Sequence, residues 1–200
     1  MTRRRRALLI VLVVVVVLLV PIALVAVPIL THQNSGLPGA QQLTAISAVA
    51  TGEDGRTRSL DIEGANPSAL KAGDRLIVKG DGFDGSRGIY VAICRIPDDP
   101  ATKPGPCIGG VPDQSAQPVD AETVQYAASN WINDDWAWKL LGARSYDSTT
   151  DGTFTAYLEV GDPVSENLDC TVDACAVYTR NDHTALGDRV QDLYIPVQFG

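Results

Sequence analysis

Residues 153–160 read TFTAYLEV and alternate between polar and apolar side chains without a break. Phe154, Ala156, Leu158 and Val160 fall on one face of an extended chain, and the residues between them fall on the other. A period of two is typical of a β-strand with one face buried and the other in water. This stretch therefore predicts a sheet that covers an apolar core on one side.

Similar short segments lie on both sides of this strand and are separated by turn residues. The further predicted strands are residues 43–49, 58–62, 75–79, 89–93 and 193–199. Residues 89–93 are apolar on both faces, which predicts a central strand, whereas Pro196 cannot donate to a ladder and predicts an edge. Many short strands between turns are typical of an all-β domain, which we expect to span residues 43–200.

The N-terminus has a different character. Residues 1–6 include four arginines, and residues 7–30 contain no charged or amide side chain. As a helix, residues 7–30 would reach about 36 Å, enough to cross a hydrocarbon layer of about 30 Å. The arginines predict a cytoplasmic N-terminus and an extracytoplasmic domain, joined by a linker at residues 31–42. A cleaved signal peptide is the alternative, but its apolar run is normally shorter and ends in a small-x-small site.

The net charge of the exported part limits the partners that it can bind. Without the four N-terminal arginines it has 12 basic and 24 acidic residues, a net charge of −12, which excludes nucleic acid as a plausible partner.

The four cysteines of the exported part predict two disulfides, with three connectivities open. The cysteines are Cys94, Cys107, Cys170 and Cys175. A zinc site would need paired C-x2-C-type spacings, which the sequence lacks.

A proline-rich and tryptophan-rich insertion is predicted at about residues 97–150. It holds Trp131, Trp136 and Trp138, and residues 129–141 predict a short helix. The tryptophans either pack the insertion onto the domain or form an exposed anchor for a partner protein or the bilayer interface. They are the predicted partner-binding residues.

Three stretches together resemble the neocarzinostatin family, an immunoglobulin-like sandwich of exported actinobacterial proteins. They are LKAGDR with VKGDGF and YVAIC within residues 70–94, DGTF at residues 151–154, and LDCTVDACAV at residues 168–177. The resemblance implies disulfides Cys94–Cys107 and Cys170–Cys175, in sequence order. The predicted fold is thus an immunoglobulin-like, neocarzinostatin-like sandwich that follows a single transmembrane helix.

The resemblance also implies two functions. Free members of the family carry a reactive small molecule in a cleft, but this chain has an apolar anchor, an added N-terminal hairpin and the insertion. It looks more like anchored relatives labelled thiamine biosynthesis protein X, which are associated with the cytochrome bc–oxidase supercomplex. We therefore expect a non-catalytic accessory subunit of a membrane complex, with a carrier of a small apolar ligand as the alternative.

The polar residues give little sign of catalysis. An acid–base or metal role of His183 would need a second histidine or a nucleophile with it, but the other histidine of the chain is His32 in the linker, and no G-x-S-x-G elbow occurs. We expect Arg180 and Arg189 to pair instead with acidic residues of the same loop, namely Asp182, Asp188 and Asp192. The acidic pairs at residues 81–84 and 134–135 lack the ligand pattern of a calcium loop. The sequence thus predicts neither an enzyme nor a metal or cofactor site.

Overall fold

The computed structural model describes the backbone of residues 3–109 and 125–200. The chain forms two units, Met1–Gln33 and Asn34–Gly200. Helix α1 spans Arg3–Leu30 in the first unit. Its side chains are described at residues 4–5, 10–20, 23, 26–27 and 29–30. Among these described residues, no helix combines the length and the apolar character that crossing a membrane requires.

The second unit is built mainly from short strands. In chain order they are β1 Gln42–Leu43, β2 Ser47–Thr51, β3 Thr57–Gly64, β4 Arg75–Asp81, β5 Ile89–Arg95, β6 Ser129–Ile132, β7 Phe154–Glu159, β8 Val164–Ser165, β9 Leu168–Asp169, β10 Cys175–Asn181 and β11 Tyr194–Val197. A short helix, α2, spans Trp136–Lys139. The predicted strands are all present, although the first is divided by a turn between β1 and β2.

These strands form two larger sheets, in which all pairings are antiparallel. One sheet has the order β1-β2-β3-β4-β7, and the other has the order β11-β10-β5-β6. Strand β5 lies between two neighbours, so the predicted central strand is confirmed. Strand β11 pairs only with β10 among the described strands, which confirms the edge predicted from Pro196. Strands β8 and β9 form a separate hairpin.

The core lies between the two sheets. Leu60, Val78 and Leu158 contribute from the first sheet, and Val91 and Val177 contribute from the second. Each is at most 1% exposed. The alternation predicted for residues 153–160 is confirmed, since the inward-facing side chains of β7 are buried and the residues between them are not. The domain is therefore an all-β structure of packed antiparallel sheets.

The helix predicted at residues 129–141 is wrong over its first part. Residues Ser129–Ile132 form β6, whose Trp131 and Asn130 face Tyr90 and Val91 of β5. Only Trp136–Lys139 is helical. Strand β6 has only four residues and depends on β5 for its backbone hydrogen bonds and its packing. No local pattern in the sequence indicates this partner. The predicted insertion thus contributes a strand at the edge of the second sheet, as the described strands pair.

Both disulfides form, as Cys94–Cys107 and Cys170–Cys175. The two pairs that the resemblance implied are those that the structure contains. Each closes a short loop, with sequence separations of 13 and 5. They therefore hold loop geometry more than they join distant parts of the fold.

The antiparallel topology collects the loops at two ends of the domain. We call one of them the entry end. It carries the turns that follow β2, β4, β6 and β10, together with the first residues of the domain. Ser35 N donates to Asp188 Oδ2 at 2.9 Å, and Asp84 N donates to Gln191 Oε1 at 2.6 Å, so these loops contact one another. Both disulfides border loops at the opposite end.

Candidate functional site

Four rings meet on the outer face of the second sheet, beside the entry end. We call Tyr90, Trp131, Trp138 and His183 the aromatic cluster. Tyr90 on β5 and Trp131 on β6 are directly paired residues of adjacent strands, with ring centroids 6.0 Å apart. Trp138 comes from α2, and its ring meets His183 edge to face at 4.6 Å. Two strands, helix α2 and the loop after β10 therefore contribute to one packed group.

A buried carboxylate orders this cluster. Asp182 is fully buried, and its Oδ2 accepts hydrogen bonds from Trp131 Nε1 and Asn133 Nδ2, both at 2.9 Å. Its Oδ1 accepts from Thr184 N at 2.8 Å and from Thr184 Oγ1 at 2.6 Å. Hydrogen bonds to a charged acceptor are stronger than neutral ones. Asp182 thus ties β6 to the loop that follows β10.

His183 takes part in packing and in one hydrogen bond. Its Nδ1 lies 3.0 Å from the hydroxyl of Tyr90, and its ring lies 5.3 Å from that of Trp131. Burial, reinforced by the charge of Asp182, raises the pKa of Tyr90 to about 12. The phenol is therefore neutral at physiological pH. These contacts orient the imidazole.

The three tryptophans have different surroundings. Trp131 is 7% exposed and belongs to the packed outer face of the sheet. Trp138 is half-buried against His183. Trp136 is 70% exposed, so it does not pack the insertion onto the domain. The packing interpretation therefore fits Trp131 and Trp138, whereas Trp136 is exposed and its role as a partner-binding residue stays a prediction.

Other exposed apolar side chains lie close to Trp136 in sequence or at the same end of the domain. We call the apolar rim the set of large exposed apolar side chains in the loops after β6 and β10. Its members are Trp136, Leu140, Leu141 and Leu186. Leu140 is 77% exposed and Leu186 is 53% exposed. Isolated exposed leucines are common, but a tryptophan with two leucines in six residues is unusual for a surface in water.

The short helix that carries Trp136 is firmly attached. Asp135 caps it by accepting from Ala137 N at 2.8 Å. The preceding Asp134 accepts from Tyr146 N at 3.0 Å and pairs with Lys139. The hydroxyl of the buried Tyr146 in turn donates to Arg87 O at 2.9 Å. These bonds hold the rim in a defined position even though its apolar side chains are exposed.

The predicted arginine network is present in part. Arg189 Nη1 donates to Asp192 Oδ2 at 2.8 Å, with both side chains buried, which confirms that pair. Asp182 departs from the prediction, because its oxygens accept from Trp131, Asn133 and Thr184. Arg180 lies over the Tyr90 ring, and its Nη1 donates to the carbonyl of Pro104.

The buried carboxyl of Asp192, in the loop after β10, makes the stability of the domain depend on pH. Burial raises the pKa of its carboxyl from 3.8 to about 8, and the charge of Arg189 opposes this shift. Between these values the folded domain holds a proton that the unfolded chain releases, so stability falls as pH rises. We expect the free energy of unfolding of the wild type to decline from pH 5 to pH 8 relative to that of Asp192→Asn. Guanidinium titrations measured across this range would contradict this if the wild type gained stability relative to the variant.

The remaining outer face of the second sheet is already covered. Ala92, Cys94, Ala176 and Tyr178 form a small apolar cluster in which each is at most 4% exposed. Tyr178 stacks on Tyr194 at 4.8 Å, and burial raises the pKa of Tyr178. Within the described residues, no group of three or more His, Cys, Asp and Glu side chains is placed to hold a metal ion.

Sequence reasoning missed the central role of Asp182 and the participation of Tyr90 and Asn133. The interacting pairs lie 49 to 93 residues apart, so no local spacing signals them. Asp135 caps α2 and Asp134 braces it, a role that was not predicted for them from the sequence.

No family model matches the chain, and the searches of curated proteins and of solved structures yield no significant match. The resemblance to the neocarzinostatin family, and the immunoglobulin-like topology that it implies, stay predictions.

Proposed function

We propose that the chain is a non-catalytic, membrane-tethered interaction module, with residues 7–30 in the bilayer and the β domain on the extracytoplasmic side. The observation that carries this proposal is the apolar rim. Trp136 and its neighbours stay exposed although the segment that bears them is held by side-chain and backbone hydrogen bonds. Exposure of these apolar side chains to water is unfavourable in free energy, and contact with another apolar surface removes that penalty.

The surroundings of the polar residues support a binding role over catalysis. The Asp182 carboxylate is fully buried, and its four hydrogen bonds fix the fold of two loops. The His183 ring packs against the rings of Trp131 and Trp138. Among the described residues, these polar groups serve to build the entry end.

The resemblance suggests a more specific role, as an accessory subunit of an envelope complex, with the cytochrome bc–oxidase supercomplex as the candidate. A single apolar helix can pack against the helices of such a complex through shape-specific contacts. On this proposal residues 7–30 provide both the tether and a protein contact.

Purification from native membranes in a mild detergent tests the proposal. We expect the tagged chain to elute with partner proteins in a large assembly. A matched variant, in which residues 7–30 are replaced by a polyleucine helix of equal length, should stay in the membrane but lose the assembly. Recovery of the wild type alone and monomeric would overturn the accessory-subunit role.

A carrier of a small apolar ligand is the second candidate. The stacked Tyr178 and Tyr194, with Arg180 nearby on β10, supply aromatic and cationic groups on the outer face of the second sheet. The burial of Ala92, Ala176 and Tyr178 leaves little of this face for a ligand, which favours the first candidate. Native mass spectrometry of the chain from its source membranes should show a retained adduct if it is a carrier.

A further inference from the structure

The place where the chain enters the β domain is close to the aromatic cluster. Asn34 Nδ2 donates to Gly187 O at 3.0 Å, and the next residue, Ser35, bonds through its N–H to Asp188 Oδ2 at 2.9 Å. Leu37 is held as well, since its N–H donates to Glu53 Oε2 at 3.0 Å. The first residues of the domain are thus bonded to the loop after β10.

That same loop contacts the helix that carries Trp136. Residues 182–188 form a compact segment, in which Ala185 N donates to Asp182 O at 3.2 Å and Asp188 N donates to Ala185 O at 3.0 Å. His183 lies in this segment, with its ring 4.6 Å from that of Trp138 in α2. A short series of contacts therefore connects the start of the domain to the apolar rim.

The exposed apolar side chains are distributed unequally over the domain. Four lie in the loops of the entry end, with exposed fractions of 70% for Trp136, 77% for Leu140, 47% for Leu141 and 53% for Leu186. Other exposed apolar side chains of the domain are scattered over β1, β2 and the opposite end. They are Leu43, Ile46, Val49, Val164 and Val172. Within residues 34–109 and 125–200, the entry end alone combines several exposed apolar side chains with an exposed tryptophan.

The covalent chain limits what can cover this surface if the proposed tether holds. Only residues 31–33 separate the apolar segment from Asn34, and fully extended they bridge at most about 14 Å. The entry end is then the end of the domain that is kept near the bilayer. Tryptophan and leucine are suited to that position, because an indole ring prefers the boundary between headgroups and acyl chains.

The charges near the rim indicate which lipid surface it fits. Asp134 and Asp135 adjoin Trp136 in sequence, and Lys139, the nearby cation, is paired with Asp134. The guanidinium of the neighbouring Arg144 donates to Gln125 O, so the described residues beside the rim supply no free positive patch for anionic headgroups. The attraction must come from apolar burial, so a zwitterionic bilayer is the fitting partner.

We propose that the apolar rim docks on the surface of the lipid bilayer, with the side chains of Trp136, Leu140 and Leu141 inserted at the interface between headgroups and acyl chains. The proposal rests on the membrane tether put forward above and assigns the surface that the tether brings to the membrane. Attachment at a second point would fix the orientation of the domain above the bilayer.

The tryptophans themselves provide the probe, since all three of the chain lie in residues 131–138 and none lies in residues 7–30. The full chain is reconstituted in phosphatidylcholine vesicles whose acyl chains are brominated near the headgroup, a short-range quencher of indole emission. With one of the three tryptophans at the interface, we expect a loss of roughly a third of the emission. Trp136→Phe should abolish that loss, and Trp131 should be unaffected in both proteins.

A matched control places a tryptophan at the opposite end. Val172 is 81% exposed in the turn closed by Cys170–Cys175, so Val172→Trp should be accommodated. In the Trp136→Phe background this new indole should not be quenched. Equal quenching of Trp136 and of a tryptophan at position 172 would show that the domain has no preferred orientation, and would overturn the proposal.

The failure of the tether and the failure of the docking are distinguishable. Flotation of the vesicles after carbonate extraction reports the tether alone. Retained protein without quenching of Trp136 would overturn docking and leave the tether intact, whereas released protein would overturn the tether and docking with it. Protein-free lipid vesicles contain no partner protein, so quenching there requires lipid contact. If quenching is absent and Trp136→Ser loses the partners in native membranes, the rim binds protein instead.

Discussion

Replacement of Asp182 by alanine is expected to lower the free energy of unfolding of the β domain by about 3–5 kcal/mol. The physical reason is the number of donors that lose their acceptor in a buried place. The indole N–H of Trp131, the amide of Asn133 and the backbone N–H of Thr184 all donate to this carboxylate, at 2.8–2.9 Å. Each buried donor left unsatisfied costs about 1–3 kcal/mol, and the losses overlap because the groups are neighbours.

Guanidinium unfolding, followed by tryptophan emission with the disulfides intact, measures this effect. Asp162→Ala is a suitable control, because that exposed side chain accepts only from Val164 N at 2.9 Å in the described structure. Its expected cost is about 0.5 kcal/mol or less. Asp182→Asn should fall between the two, since the amide keeps the volume but turns an N–H₂ group towards donors. A loss below about 1 kcal/mol for Asp182→Ala would show that water replaces the carboxylate.

Phe154→Ala is expected to have an effect of similar size, about 3–5 kcal/mol, through a different mechanism. The Phe154 ring is 1% exposed and meets Phe83 edge to face at 5.0 Å and Tyr146 at 6.2 Å. Removing it should open a cavity beside Phe83 and Tyr146, and the backbone N–H of Tyr146 holds Asp134 in the turn before α2. The half-exposed Val164 supplies the control, because Val164→Ala should cost about 0.5 kcal/mol or less.

The close approach of Gly80 to the Phe154 ring allows a second test of this packing. A Cβ atom at Gly80 would occupy the space of the Phe154 ring, so Gly80→Ala should be strongly destabilising in the wild type. In the Phe154→Ala background the methyl group would enter the cavity, and the cost should largely disappear. The unfolding free energies of the two single variants and the double variant measure this coupling. Simple additivity would contradict the proposed packing.

The exposed Trp136 and the buried Trp131 illustrate how far the local sequence predicts the site. Both lie in an apolar, tryptophan-rich stretch, and the local pattern left packing onto the domain and exposure as an anchor open for both residues without distinguishing them. The pairing of β6 with β5 buries Trp131, and the cap at Asp135 then directs the chain so that Trp136 stays exposed. Burial of a ring depends on which distant strand lies beside it, which is information that a local pattern does not contain.

The loop after β10 shows the same limit for charges. The pairing of Arg189 with Asp192 was predictable, because the two residues lie three positions apart and opposite charges so close along the chain readily meet. The partners of Asp182 were not, since Trp131 and Asn133 come from a strand and a loop about 50 residues away. A buried carboxylate accepts whatever donors the fold brings to it, and only the tertiary structure identifies them.

The sequence by itself determined the class of the domain and the separation of an apolar N-terminal segment from an acidic, disulfide-bonded remainder. Strand alternation at residues 153–160, the turn residues and the cysteine count are local properties, and they follow from side-chain periodicity and covalent chemistry. The tertiary structure decided which strands are neighbours, which tryptophan is exposed, and that the chain enters the domain beside the apolar rim. These features depend on contacts between segments far apart in the chain, where the packing of two sheets outweighs local preference.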